Sequence, residues 1–351
     1  MAAIIPTPAP AVCEMKAVLL DKPGPIEEST LRIADLDTPR PGSGQVLIRV
    51  EACGVCRSNL HTIEGDWMSF GVPGKLPIIP GHEVVGTIAG AGEDVAGFAT
   101  GDRVGVQPLW STCERCDYCL SAREQLCLTK ETTGETVDGG YAEYMVATAS
   151  HVYAVPDTLE SAEAAPLFCP GLTAYSAVST AEVSPGQRVA VFGLGGVGHM
   201  VAQFARLAGA DIVAVVRSAL HLELARELGA ERIIDASAVD AGDALSRDGG
   251  VDASILFAPS NALARQALRA TRRGGTIVLG VNADLGELSF FDNKRVIGSV
   301  IGNRVQMREV LRIAAAGKVR ALCEAFPLEE AAATLRRLKR GEIRARAVLV
   351  A

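Results

Sequence analysis

The chain has no segment that reads as a membrane span, no basic excess and no disulfide framework, and each lack removes a class of function. Its most apolar region, Arg188 to Val216, is broken by five glycines between Gly193 and Gly209 and by the charged Arg206 and Asp211. A transmembrane helix needs about twenty unbroken apolar residues, so this stretch is read as part of a soluble core. The first residues lack the basic start and long apolar core of a secretory signal, which makes the cytoplasm the expected compartment. The formal net charge is −7, which speaks against nucleic acid or an anionic membrane surface as partner, since both attract basic patches. Internal repeats are missing too, and the one biased tract is Ala/Pro-rich, Ala2 to Ala11. It is expected to be a flexible tail over residues 1–14, with folded sequence from Met15.

At 351 residues the chain suits two domains rather than one core. From Met15 to about Ala154 short β segments alternate with Gly and Pro, as in Lys16–Leu20, Gln45–Ala52, His82–Ala89, Arg103–Val106 and Glu143–Ala147. This texture predicts a barrel-like, mostly antiparallel unit. After Pro156 strands and helices alternate: Arg188–Phe192, Gly198–Ala208, Asp211–Val216, Leu220–Leu228 and onward to Thr276–Leu279. That alternation predicts a parallel sheet covered on both faces. Helices at Arg308–Ala316 and Glu329–Lys339 and a strand at Ala347–Val350 close the chain.

Four of the nine cysteines, Cys113, Cys116, Cys119 and Cys127, crowd one loop with C-x2-C-x2-C-x7-C spacing. Disulfide frameworks belong to small secreted domains, so the cluster is read as four thiolates closing a tetrahedral structural zinc site. Free or redox-active cysteines and an iron–sulfur cluster are the alternatives. Gly193-Leu194-Gly195-Gly196-Val197-Gly198 fits G-x-G-x-x-G, follows an apolar strand ending at Phe192 and opens a helix. In that context Gly193 allows a tight turn, Gly195 lets the backbone approach a pyrophosphate and Gly198 permits close helix–strand packing. A purely structural glycine turn is the competing reading. The next strand ends Val215-Val216-Arg217-Ser218, and no acid follows before Glu223. An NAD site places an acid at this strand end for the ribose 2′-hydroxyl, whereas Arg217 and Ser218 suit a 2′-phosphate. The expectation leans to NADP(H) over NAD(H), against the alternative that Arg217 only faces solvent.

Three further segments carry a resemblance: Cys53-Gly54-Val55-Cys56-Arg57-Ser58-Asn59-Leu60-His61, Pro80-Gly81-His82-Glu83-Val84-Val85-Gly86 and Phe168-Cys169-Pro170-Gly171-Leu172-Thr173. With the cysteine loop and the glycine turn in the same order, the chain resembles the zinc-containing medium-chain dehydrogenase/reductase family, the zinc alcohol dehydrogenases, from Met15 to its end. The resemblance implies a GroES-like catalytic domain over 15–160 and 302–351 and a Rossmann cofactor domain over 161–301. It also implies two zinc ions per chain and hydride transfer between an alcohol and NAD(P)+. Cys56, His82 and Cys169 become the catalytic zinc ligands, three protein donors that leave one position open. Glu83 becomes a carboxylate beside the metal, Ser58 a relay hydroxyl and His61 its outer base. Arg57 and Arg346 become pyrophosphate contacts, Thr173 a residue packing on the nicotinamide, and Gly196 and Val197 part of the phosphate turn. Cys13, Cys53 and Cys323 fit no ligand pattern.

One departure stands out. The family usually carries Asp where this chain has Asn59, and that carboxylate orients the zinc-bound histidine. Asn can still accept a hydrogen bond but brings no charge, so an altered zinc affinity or pH optimum is expected rather than loss of activity. Trp67, Trp110 and Phe168 are candidates for the substrate pocket. The resemblance implies a homodimer or homotetramer, with Phe290 to Ile301, taken to follow the last Rossmann strand, as the pairing edge. A small alcohol or aldehyde is the expected substrate. A polyol dehydrogenase, a zinc-independent enone reductase and a non-enzymatic dinucleotide-binding protein of the same fold are the other readings.

Overall fold

The structure is a computed structural model that describes residues 14–28 and 30–351. The tail expected over 1–14 therefore lies, up to Cys13, outside the described residues. Two large sheets organise the rest.

The first sheet runs, in spatial order, Cys323–Pro327, Arg346–Val350, Gln45–Val55, Val84–Ala91, Arg103–Val106 and Val152–Ala154, with Tyr144–Thr148 pairing a second side of Gln45–Val55. All its pairs are antiparallel except the outermost, Cys323–Pro327 on Arg346–Val350. Gln45–Val55 is its spine. It is buried along most of its length, which suits its β-branched and small residues, packed from both faces. Opposite it, Gly86 admits no side chain, because a Cβ there would overlap the Arg49 carbonyl. A hairpin of Glu14–Leu20 and Leu31–Asp37 leans on this unit through isolated bridges at Ala17–Ala142 and Leu20–Ile78. Leu31–Asp37 was not foreseen, because its buried residues are too few to mark a period.

The second sheet has six strands, all parallel: Arg232–Asp235, Asp211–Val216, Arg188–Phe192, Val251–Leu256, Thr271–Leu279 and Arg295–Gly298. Counted along the chain this is the order 3-2-1-4-5-6, the doubly wound arrangement that opens a crevice where the winding reverses, beside Arg188–Phe192. The sixth strand corrects the sequence reading. Phe290 to Ile301 does not follow the last Rossmann strand; it contains that strand, and Phe290 and Phe291 form an exposed stacked pair just before it.

Three cores follow from this layout. One lies inside the first sheet, one on the outer face of the second, and the largest joins them. The joining core gathers Ala52 and Val85 from the first sheet, Phe168 and the helix Pro170–Thr180 between the sheets, and Val189 and Val191 from the second. The helix Arg304–Ala315 packs on Pro170–Thr180 within it through Met307 and Val310. Phe168 is fully buried there, 6.1 Å from the Tyr153 ring and filling the space left by Gly105. It is a core residue and does not line a substrate pocket, contrary to the expectation from its place beside Cys169.

His199, at the start of the helix Gly198–Leu207, is fully buried. Its Nδ1 lies 3.3 Å from the Gly195 carbonyl, and its Nε2 accepts the Leu322 N–H at 3.3 Å. Both nitrogens are used by the neutral ring, and burial holds its pKa down to about 4. Unfolded histidine binds a proton near 6.5, so the unfolded state gains protons first as pH falls. Stability contributed by neutral His199 is complete above pH 6.5 and is lost between 6.5 and 4, to the extent of roughly 3 kcal/mol. Urea unfolding of His199→Gln beside the parent is expected to show a shallower loss of stability across that window. Parallel curves would refute the assignment.

Candidate active site and metal centres

The cysteine lobe is built from backbone turns. Cys116 precedes the short helix Asp117–Leu120, and Glu114 and Ala122 take left-handed backbone conformations that fold the loop back on itself. Cys113 and Cys119 lie 3.8 Å apart at sulfur, Cys116 and Cys119 3.5 Å, and all four sulfurs fall within 4.8 Å of one another. Four converged thiols without a disulfide fit a closed tetrahedral zinc. The lobe is tied to the rest of the protein by the start of the helix Arg304–Ala315. The Arg304 N–H donates to Glu124 Oε1 at 2.7 Å, its guanidinium pairs with Glu114 at 2.8 Å, and the Asn303 amide donates to the Ala122 carbonyl at 2.8 Å.

The second group comes from three distant stretches. Cys56 ends the strand Gln45–Val55 and sits at the N-terminus of the helix Arg57–Glu64. His82 and Glu83 lead into the strand Val84–Ala91, and Cys169 precedes the helix Pro170–Thr180. Cys56 and Cys169 sulfurs are 3.8 Å apart, and ligand atoms of Cys56, His82, Glu83 and Cys169 all lie within 4.8 Å. All four residues are buried. Hydrogen bonding from the Cys169 thiol lowers Cys56 well below the usual thiol range, while Cys169 is raised well above it by the same contact. Burial pulls His82 down, but the hydrogen bond and charge of Cys56 prevail and lift it to about 9. The donor set suits zinc, with room for a fourth ligand.

Glu83 is fully buried, and both its oxygens face Arg346, itself 3% exposed. Gly54 allows this, because a side chain there would overlap the Glu83 carboxylate. The guanidinium also lies against Gly196 in the glycine turn, where a Cβ would overlap it. Gly193 sits at φ +91, and Gly198 has no room for a side chain beside the Gly193 carbonyl. Glu83, Arg346 and the turn are therefore packed in one contiguous group beside the crevice.

The remaining expected residues are distributed around this centre. Ser58 Oγ lies 3.3 Å from His82 Nε2. His61 is one turn further along the same helix, with Nδ1 2.7 Å from Asp66 and its ring stacked on Trp67 at 4.9 Å. Asp66 was not foreseen, since a carboxylate past a helix end carries no sequence signal. Trp110 lies at the lobe, its indole N–H donating to the Val146 carbonyl at 3.2 Å. Thr173 is a turn above Cys169, its N–H donating to the Cys169 carbonyl at 2.8 Å. Arg57 is exposed at the helix start. Arg217 is exposed at the strand end, whereas Ser218 caps the helix Ala219–Glu227 by accepting the His221 N–H.

Asn59 departs from expectation. Its Oδ1 accepts the Cys56 N–H and the Tyr141 hydroxyl, each at 3.0 Å, so it takes no hydrogen bond from His82. The buried carboxylate of Glu135, absent from the sequence reading, stands 3.6 Å from His82 Nδ1 instead.

A buried Cys–His–Cys donor set suited to zinc, a glycine turn and a mostly antiparallel sheet joined to a doubly wound one define a zinc-binding dehydrogenase. Known proteins agree. A family profile described as alcohol dehydrogenase GroES-like domain matches residues 42–157, and one described as zinc-binding dehydrogenase matches 196–316. An alcohol dehydrogenase of Geobacillus stearothermophilus is 40% identical over 341 residues, covering 95% of this chain and 99% of that one. A solved NAD-dependent alcohol dehydrogenase superposes with a TM-score of 0.88 at 28% identity, over 96% of this chain and 99% of that one. A zinc-binding dehydrogenase from Sinorhizobium meliloti 1021, solved bound to NADP, gives 0.84 at 28% identity, over 97% and 100%. The chain belongs to the zinc-containing medium-chain dehydrogenase family.

Removing one lobe thiol tests the division between the two centres. Cys119→Ser is expected to lose one metal per chain and to unfold at lower temperature, while Cys56, His82 and Cys169 keep theirs. Metal analysis showing two zincs retained, with an unchanged melting point, would contradict a structural role for the lobe.

Proposed function

We propose that the protein is a zinc-dependent alcohol dehydrogenase and aldehyde reductase, moving a hydride between an alcohol and NAD(P)+. The observation that carries this reading is the convergence of Cys56, His82 and Cys169 beside the Glu83–Arg346 pair that abuts the glycine turn. Cys56, His82 and Cys169 would hold a zinc ion, which would supply Lewis acidity that makes an alcohol proton easier to lose. The protein supplies the rest.

Ser58 takes the alcohol proton, a role its closeness to the ligand cluster supports, with Oγ 3.3 Å from His82 Nε2. His61 is the outer base. It sits three residues along the same helix, on the same side as Ser58, with its side chain 33% exposed and its tautomer held by Asp66. Partly open to solvent, it can pass that proton to water. The backbone amides at the start of Gly198–Leu207 receive the pyrophosphate, a helix N-terminus being suited to anions. Arg57 and Arg346 flank it. Thr173, rising from Cys169, packs on the nicotinamide. Glu83, within 4.8 Å of the ligand atoms of Cys56, His82 and Cys169 and restrained by Arg346, is the carboxylate that would be available to a metal held there.

For the cofactor we favour NADP(H). Arg217 stands at the strand end where an NAD site carries an acid, it is exposed, and no hydrogen bond or ion pair engages it among the described residues. Ser218 is partly committed to its helix cap, so Arg217 is the principal 2′-phosphate contact. The substrate is a small alcohol or aldehyde. The active unit is a homodimer or homotetramer, paired through the edge strand Arg295–Gly298 and the exposed apolar residues Phe290, Phe291 and Val300 around it.

Metal analysis and a screen of primary, secondary and aromatic alcohols and carbonyls with both cofactors test this. Two zincs per chain and NADPH oxidation are expected. Arg217→Ala should raise KM for NADPH about 10- to 100-fold, the value of one charge-assisted phosphate contact, with little change for NADH. Activity with NADH alone would overturn the cofactor assignment, and a chain without zinc would overturn the reaction class.

A further inference from the structure

We propose that Glu135 is the residue that positions His82 on the catalytic metal, a task that Asn59 does not perform in this chain. The inference rests on reading Cys56, His82 and Cys169 as the zinc ligands.

The ring of His82 has one nitrogen on each side. Nε2 faces the cluster, 3.3 Å from Ser58 Oγ and 3.9 Å from Glu83 Oε1. Nδ1 faces away, is buried and has no hydrogen-bond partner. A neutral imidazole that ligates through Nε2 carries its proton on Nδ1. A buried N–H without an acceptor is a costly arrangement and leaves the ring free to turn.

Asn59 cannot serve as that acceptor. Its oxygen already takes the Cys56 N–H and the Tyr141 hydroxyl, and its buried amide nitrogen, itself without a partner, is a donor. Flipping the amide would set that nitrogen against the Cys56 N–H, donor on donor, so the orientation is fixed.

Glu135 offers what is missing. Its Oε1 is 3.6 Å from His82 Nδ1, and its side chain is 12% exposed. At that distance the carboxylate is the acceptor facing Nδ1, just beyond hydrogen-bond length. The loop around Glu135 is laced to the segment that carries His82. Gly139 N–H donates to the Ile79 carbonyl at 2.7 Å, Gly140 N–H to Gly81 and Tyr141 N–H to Pro80, both at 2.9 Å, and the Glu135 carbonyl accepts the Gly74 N–H at 2.8 Å. Gly134, at φ +70, and Gly139 leave no space for side chains against the Pro80–Gly81 backbone. The carboxylate and the imidazole are thus fixed on one rigid unit. A carboxylate on the far nitrogen of a metal-bound histidine orients the ring and makes it a stronger donor.

The parent, Glu135→Gln and Glu135→Ala are compared by zinc content, by chelator competition and by the visible absorption of the Co2+-substituted proteins. All are expected to keep the lobe metal. In Glu135→Ala the catalytic metal should be held about 10- to 100-fold more weakly, with shifted cobalt bands. Glu135→Gln, a neutral acceptor of the same shape, should fall between, several-fold weaker than the parent. Should the Ala variant not fold, the Gln variant decides. Parental affinity and unchanged cobalt spectra in the variants would overturn the role of Glu135. A parent that binds only the lobe metal would overturn the zinc-site reading itself.

Discussion

The buried pair of Glu83 and Arg346 is the contact on which the arrangement of this protein depends. The two residues are 263 positions apart, one beside a metal ligand and the other on the closing strand. Neither charge could be buried alone, since a desolvated ion without its partner costs several kcal/mol. Each makes the burial of the other tolerable, and each is admitted only by a glycine, Gly54 for the carboxylate and Gly196 for the guanidinium. The pair thereby brings the metal-ligand cluster up against the glycine turn. Burial raises the Glu83 carboxyl and the guanidinium draws it back, so the charge of this carboxylate depends on the closing strand being in place.

The two cysteine centres have opposite relations to their surroundings. Three of the four lobe cysteines are only half-buried on short turns, and the lobe is held by Arg304 and Asn303 from the start of one helix. Its ligands are neighbours in sequence, so a metal there stiffens a loop. The Cys56, His82 and Cys169 cluster is buried at the meeting of two sheets, and its members arrive from a strand end, a loop and a helix start. Small shifts between the sheets change that geometry, which suits a site that must exchange ligands.

Much of this was legible beforehand, unevenly. The strands Arg103–Val106, Arg188–Phe192 and Asp211–Val216 were read with their observed ends, because apolar runs bounded by Gly, Pro or Asp leave little ambiguity. The helices Arg57–Glu64 and Pro170–Thr180 and the strand Cys323–Pro327 were not assigned. The first is masked by its polar residues. The second is nearly uniformly buried, so no amphipathic period shows. The third lies at a sheet edge with only a partly buried pattern. Phe168 misled for a related reason: adjacency to Cys169 says nothing about which way a side chain turns, and it turned into the core.

The sequence by itself determined the chemistry on offer. Four thiols in one loop, the Cys–His–Cys set and the glycine turn are local patterns of residue type and spacing, and such patterns survive without coordinates. What only the tertiary structure decided is which groups share an environment. That Arg346 pairs with Glu83, that the Asn59 oxygen is spent on Cys56 and Tyr141, and that Glu135 faces His82 depend on contacts between residues up to 263 positions apart or on which way an amide points. Burial gives these contacts their weight. A polar group removed from water must find its partner inside the protein, and the fold alone settles which partner that is.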